Sequence, residues 1–117
     1  MLDGFDPAAE SIVEADAGRV FCAADLELEQ QVEICDGASM IARLDFADRK
    51  RKIAVEIDGL SFHSGYDALT NDRRRDRLLQ RVGWTVLRFT ADDVRLRPQR
   101  MVEEMKAQIA HIDRRRR

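Results

Sequence analysis

Asp45, Glu56 and Asp58 fall on alternating positions of two short apolar-rich runs, Met40–Ala47 and Ile53–Asp58, and His63 follows five residues after the last of them. Carboxylates are hard oxygen ligands suited to Mg²⁺ or Mn²⁺. A histidine near neutral pH can give or take a proton. A four-residue turn at Asp48–Arg51 sets Ala47 opposite Lys52 and Asp45 opposite Ala54. Alternate side chains of a strand share a face, so Asp45, Glu56 and Asp58 then lie together, with Leu44, Phe46, Val55 and Ile57 on the reverse. Asp45 and Glu56 become near-diagonal neighbours, roughly 7–8 Å apart at the backbone and within reach of a shared ion. A bulge would break this register. Crowded carboxylates repel one another, and a divalent cation relieves the repulsion. Removing either carboxylate should accordingly leave the fold at least as stable. A solvated outer sheet face is the plain alternative, since acidic residues are common there.

Asp72-Arg73-Arg74-Arg75-Asp76-Arg77 is the other conspicuous run. On a helix it is a solvated face or, beside the carboxylates, a surface that contacts phosphates. His111 stands apart from any motif and reads as a surface or packing residue. Cys22 and Cys35 lack CxxC spacing and are expected to pack in the core.

The elements that must position these groups follow from periodicity. Asp6-Pro7 opens a helix of about 16 residues, with Ile12, Val13, Val20 and Phe21 on one face. Gln31–Cys35, Met40–Ala47 and Ile53–Asp58 alternate as three strands of a meander, with Asp36-Gly37 as a hairpin turn. Leu69, Leu78, Leu79 and Val82 fit a helix that stops at Gly83. Trp84–Phe89 reads as a fourth strand, and Thr90 with Asp93 as a capping box for a short turn. Pro98 opens a final helix with Met101, Val102, Met105, Ile109 and Ile112 at helical spacing. The order α-β-β-β-α-β-α is a mixed α/β sandwich. Residues 1–113 form one domain, followed by a basic tail at 114–117.

A length of 117 residues allows one domain and hardly more. Two cysteines are too few for a disulfide scaffold or a four-cysteine zinc site. No apolar run approaches the ~18 residues of a membrane span, and no signal peptide shows, so a cytoplasmic protein is expected. The net charge of −2 hides a division. Residues 1–48 hold twelve acidic and two basic residues, a net of −10, whereas residues 49–117 hold ten acidic and eighteen basic, a net of +8. Seventeen of the twenty basic residues are arginine, the side chain shaped for bidentate phosphate contact. A localised anion-binding surface fits this division, as does simple pairing of arginines with nearby acids on solvated helices.

The runs VEIDGLSFHS and NDRRRDRLLQRVGWTVLRFT resemble the very-short-patch-repair-like branch of the PD-(D/E)xK restriction-endonuclease superfamily. The likeness covers about residues 30–112 and is densest from Ile53 to Phe89. It implies a restriction-endonuclease-like αβββαβα sandwich with a mixed four-stranded central sheet. It makes Asp45 the metal-binding aspartate and Glu56 the acid of the (D/E)xK element, with Asp58 where the lysine stands. In the mismatch-repair relatives a histidine takes the place of Asp58, and a second falls at His63. The resemblance thus gives Asp58 a ligand or water-holding role, and His63 protonation of the leaving group or orientation of water. A further acid on the first helix corresponds to Glu14, with Glu10 as substitute. Two cysteines and two distant histidines do not reproduce the repair enzymes' structural zinc site.

The implied activity is Mg²⁺- or Mn²⁺-dependent endonucleolytic hydrolysis of DNA phosphodiesters. Asp45 and Glu56 would hold the metal, and Arg73, Arg74, Arg75, Arg77 and Arg88 would hold the nucleic-acid backbone. A separate recognition domain or protein is a further partner that such domains often use. The alternative is a nuclease-derived DNA-binding or assembly module that lost activity along with the lysine. A phosphoesterase for small nucleotides is a third reading without a recognisable base pocket.

Overall fold

Among the described residues, alternation of polar and apolar residues becomes four strands, and helical spacing becomes four helices. In the computed structural model, residues 7–58 and 66–117 are described, with side chains from 11–58 and 72–117. The elements run α1 (Pro7–Ala23), β1 (Glu29–Asp36), β2 (Ser39–Asp48), β3 (Ile53–Asp58), α2 (Tyr66–Arg81), β4 (Thr85–Thr90), α3 (Ala91–Leu96) and α4 (Pro98–Arg115). The sheet order is β1-β2-β3-β4. β1, β2 and β3 pair antiparallel, and β3 pairs parallel with β4 across the α2 crossover. This is the restriction-endonuclease-like αβββαβα sandwich, with α3 as an added single turn.

Two hydrophobic layers flank the sheet. Val13, Ala17 and Phe21 of α1 pack with Val94 of α3, Met101 and Met105 of α4, and Phe46, Ile53, Val55, Ile57 and Phe89 of the sheet. Phe21 meets Phe46 edge-on, ring centroids 5.2 Å apart. The opposite layer joins Leu79 of α2 and Trp84 to Val32, Ile34, Ala42, Leu44, Ala47 and Ala54. Local signals close the elements as expected: Gly83 ends α2 at φ +94°, and Thr90 and Asp93 form a reciprocal capping box on α3.

Four expectations need correction. Ile12 is 56% exposed, because the apolar stripe of α1 runs through Val13, Ala17 and Phe21 instead. Cys22 and Cys35 are both exposed rather than packed in the core. The hairpin register differs by two residues: Ala47 faces Ala54, not Lys52, and Phe46 faces Val55. The turn therefore spans residues 49–52, with Lys52 at φ +58°. Finally, Leu44 and Phe46 lie in opposite layers. Gln31, at φ +53°, interrupts the β1–β2 ladder between Gln30↔Phe46 and Val32↔Leu44. Alternation in β2 is broken at Asp45, opposite that residue.

Candidate functional site

Asp45 stands where β2 loses its regular pairing on both sides. Toward β3 the paired rungs end at Phe46↔Val55, so Asp45 and Glu56 occupy the next rung, directly opposite rather than diagonal. Side-chain carboxylates carry the bridging there. Ile57 N–H donates to Asp45 Oδ2 at 2.8 Å, and Asp45 N–H donates to Glu56 Oε2 at 3.0 Å. Each acid thus satisfies a backbone donor of the facing strand, which fixes both side chains tightly. Toward β1, the Gln31 amide donates to Glu14 Oε2 of α1. A left-handed glutamine in a strand is uncommon, and this one sits opposite Asp45 while its side chain holds the α1 acid.

Two arginines enter from the other side. Arg75 of α2 is ion-paired with Glu56 and lies 3.9 Å from Asp72. Glu56 is only 6% exposed, so the pair is largely desolvated. Arg88 of β4 pairs with Asp76 at 2.7 Å and with Asp58 at 3.5 Å. Arg88 therefore links the end of β3 to α2.

Electrostatics follows from this geometry. Burial pushes the Asp45 carboxyl up to about 6, and the charges of Glu14 and Asp58 push the same way. The bond from Ile57 N–H and the Arg75 charge offset part of this. Burial lowers the Arg75 guanidinium, and the like charge of Arg88 lowers it further. For Arg88, burial acts downward, but the Asp76 hydrogen bond and the Asp76 and Asp58 charges leave the group raised.

The sequence-predicted residues separate accordingly. Asp45, Glu56 and Asp58 come to one end of the β2–β3 pair, and Glu14 is close enough to act on Asp45 electrostatically. His63 lies outside the described residues, as does the Glu10 side chain. Within the predicted arginine cluster, Arg73, Arg74 and Arg77 point to solvent and form no ion pair among the described residues, whereas Arg75 and Arg88 face the acids. Helical spacing carries this distinction. Arg75, Leu78, Leu79 and Val82 fall at i, i+3, i+4 and i+7, the stripe that meets the sheet. Asp76, which the run of 72–77 contains without a role, and Gln31, which no motif contains, complete the site.

A divalent ion does not fit these groups as they stand. Among the described residues, no group of three or more His, Cys, Asp or Glu side chains is placed to hold a metal. One Glu56 oxygen takes the Asp45 N–H and the other meets Arg75. A groove of about 1190 Å³ opens elsewhere, lined by Phe21, Leu26, Phe46, Asp48 and Ile109 among others, and includes none of the predicted site residues. Among the described residues, no helix is long and apolar enough to cross a membrane.

Comparison with known proteins agrees with this fold. The family model REase_MTES_1575 matches residues 16–109. Two Mycobacterium tuberculosis proteins, the uncharacterized proteins MT2308 (strain CDC 1551 / Oshkosh) and Rv2248 (strain ATCC 25618 / H37Rv), are each 35% identical over 116 residues. The match covers 97% of this chain and 41% of each relative, so the chain spans about two-fifths of their length. Among solved structures, the catalytic domain of the homing endonuclease I-Bth0305I superposes with a TM-score of 0.56 at 19% identity. That superposition covers 86% of this chain and 91% of the domain.

Proposed function

The chain belongs to the REase_MTES_1575 family, with a PD-(D/E)xK nuclease-like fold, and from that premise we propose that it is a nuclease-derived DNA-binding module. One observation carries the choice of module over enzyme. The Glu56 carboxylate, the acid of the (D/E)xK element, is already neutralised by Arg75 and hydrogen-bonded to Asp45 N–H. The lysine position holds Asp58, itself paired with Arg88. Arg73, Arg74 and Arg77, exposed on α2, would grip phosphates without reading bases. Within the superfamily we place the chain beside the very-short-patch-repair-like branch, acting in the cytoplasm on DNA and alongside a separate recognition domain or protein.

Metal-dependent endonucleolytic hydrolysis is the second reading. It is favoured by the carboxyl of Asp45, pushed up to about 6 in the company of Glu14 and Asp58. Such perturbed acids gather at active sites. In that case Asp45, Glu56, Asp58 and His63 form the catalytic set, with Mg²⁺ or Mn²⁺ as cofactor.

Two measurements decide. Fluorescence anisotropy with a short duplex should show binding that weakens in Arg74→Ala and Arg77→Ala. Unchanged affinity in both would remove the DNA-binding proposal. Supercoiled plasmid and single-stranded DNA incubated with Mg²⁺ or Mn²⁺ should remain intact. Cleavage that disappears in Asp45→Ala would replace the module with the enzyme.

A further inference from the structure

We propose that Arg75 is the resident cation of the carboxylate site, occupying the charge role of a divalent ion and keeping such an ion out. This deepens the module proposal, on which it rests, by naming what shuts the site. The guanidinium pairs directly with Glu56 and also acts electrostatically on Asp45. One side chain thus pairs with one of the two acids that the superfamily motif assigns to a metal and offsets part of the charge of the other. Both Glu56 oxygens already have a partner, since the second accepts from Asp45 N–H.

Arg75 is held there by charge more than by a full set of hydrogen bonds. Its Nε is buried and has no hydrogen-bond partner among the described residues. Arg88 crowds it with like charge. A guanidinium forks five N–H donors, and leaving one buried without an acceptor is costly. Nothing in the packing of α2 explains that cost, because Leu79 and Val82 already anchor the same stripe. Pairing with Glu56, with partial offset of the Asp45 charge, does explain it. Removing a partner from a buried pair leaves an uncompensated charge, so loss of Arg75 should leave the acids in need of a cation.

The experiment is calorimetric titration of Mn²⁺ into wild type, Arg75→Met and Arg75→Gln, with no nucleic acid present. Both variants should bind Mn²⁺ at least about tenfold more tightly than wild type, in the range of ordinary coupling between competing cations. Mn²⁺ should also raise the melting temperature of the variants and not that of wild type. Arg75→Gln keeps a hydrogen-bond donor over Glu56, so it carries the test if the methionine variant fails to fold. Equal Mn²⁺ affinity in all three proteins, whether tight or absent, overturns the proposal. Duplex binding measured on the same wild-type sample separates the outcomes. Loss of duplex binding ends the module proposal, whereas unchanged Mn²⁺ affinity with normal duplex binding ends only the role of Arg75.

Discussion

Asp45 is ionised at neutral pH in surroundings that disfavour the charge, and this sets a sign that melting experiments can read. Burial pushes its carboxyl up to about 6 in the folded chain from the ordinary aspartate value of 3.8, so between these limits the folded protein holds more protons than the unfolded one. Stability from this group is greatest below about pH 4 and is lost as pH rises through about 6. Two units correspond to about 3 kcal/mol, and screening at this partly exposed side chain reduces the effect to about 1–2 kcal/mol. Asp45→Asn keeps an acceptor for Ile57 N–H and drops the charge. Its melting temperature should exceed that of wild type by several degrees at pH 8, and the gap should close by pH 4. A lower melting temperature at pH 8 would make the carboxylate a structural ligand of the β3 backbone. Glu56 behaves oppositely, although the sequence treats the two acids alike. It is buried against Arg75, and Glu56→Ala strands that guanidinium, so it should destabilise by about 3 kcal/mol in denaturant titration. A loss below about 1 kcal/mol would mean that Arg75 relaxes into solvent.

At the scale of elements, alternation and helix stops are strong signals, whereas register and local backbone strain are weak ones. β3 occupies Ile53–Asp58, as the run VEID with its apolar neighbours predicts, because polar and apolar residues alternate from Val55 to Asp58 after an apolar start. The β2–β3 register misses by two residues because the turn starts one residue later, with Lys52 in a left-handed conformation that nothing in DRKRK announces. The same holds for Gln31, whose strained backbone turns Asp45 out of the regular ladder. The site depends on that irregularity, so a reading confined to ideal strands finds the correct acids and the wrong geometry between them. Arg75 differs, for its position on the apolar stripe of α2 is visible in the spacing. The turn itself is held by a clamp. Arg51 pairs with the nearly buried Asp48 at 2.9 Å and forks onto Asp113 of α4 at 2.8 and 3.1 Å. The Arg51 bonds hold the Asp113 carboxyl below the usual carboxylate range. Arg51→Met leaves Asp48 with only a backbone donor and should cost about 2 kcal/mol, whereas Asp113→Ala, at an exposed end, should have a small effect. Equal losses in the two variants would shift the importance of the clamp from Asp48 to the α4 docking.

At the scale of the molecule, sheet order turns the charge division of the sequence into a division in space. The acidic segment, residues 1–48, contributes α1, β1 and β2, and the basic segment contributes β3, β4 and the remaining helices. Because the strands lie in the order β1-β2-β3-β4, negative charge gathers toward one edge of the sheet and positive charge toward the other. A net charge of −2 then coexists with a basic surface, and if the chain binds DNA as proposed, the field would orient an approaching duplex toward the α2 side. If Arg73, Arg74 and Arg77 each neutralise one phosphate, log affinity should fall against log salt with a slope of about −2.7. Raising salt from about 50 to 200 mM should then weaken binding about 40-fold, equally for unrelated sequences. Arg74→Ala should flatten the slope by about one unit. Arg88→Ala should leave the slope unchanged, since Arg88 spends its charge on Asp76 and Asp58. Glu33→Lys, on the exposed far edge in β1, should hardly move either quantity. A slope that flattens for Arg88 and not for Arg74 would place the duplex over the acid cluster itself, with the exposed face of α2 as an ordinary solvated surface.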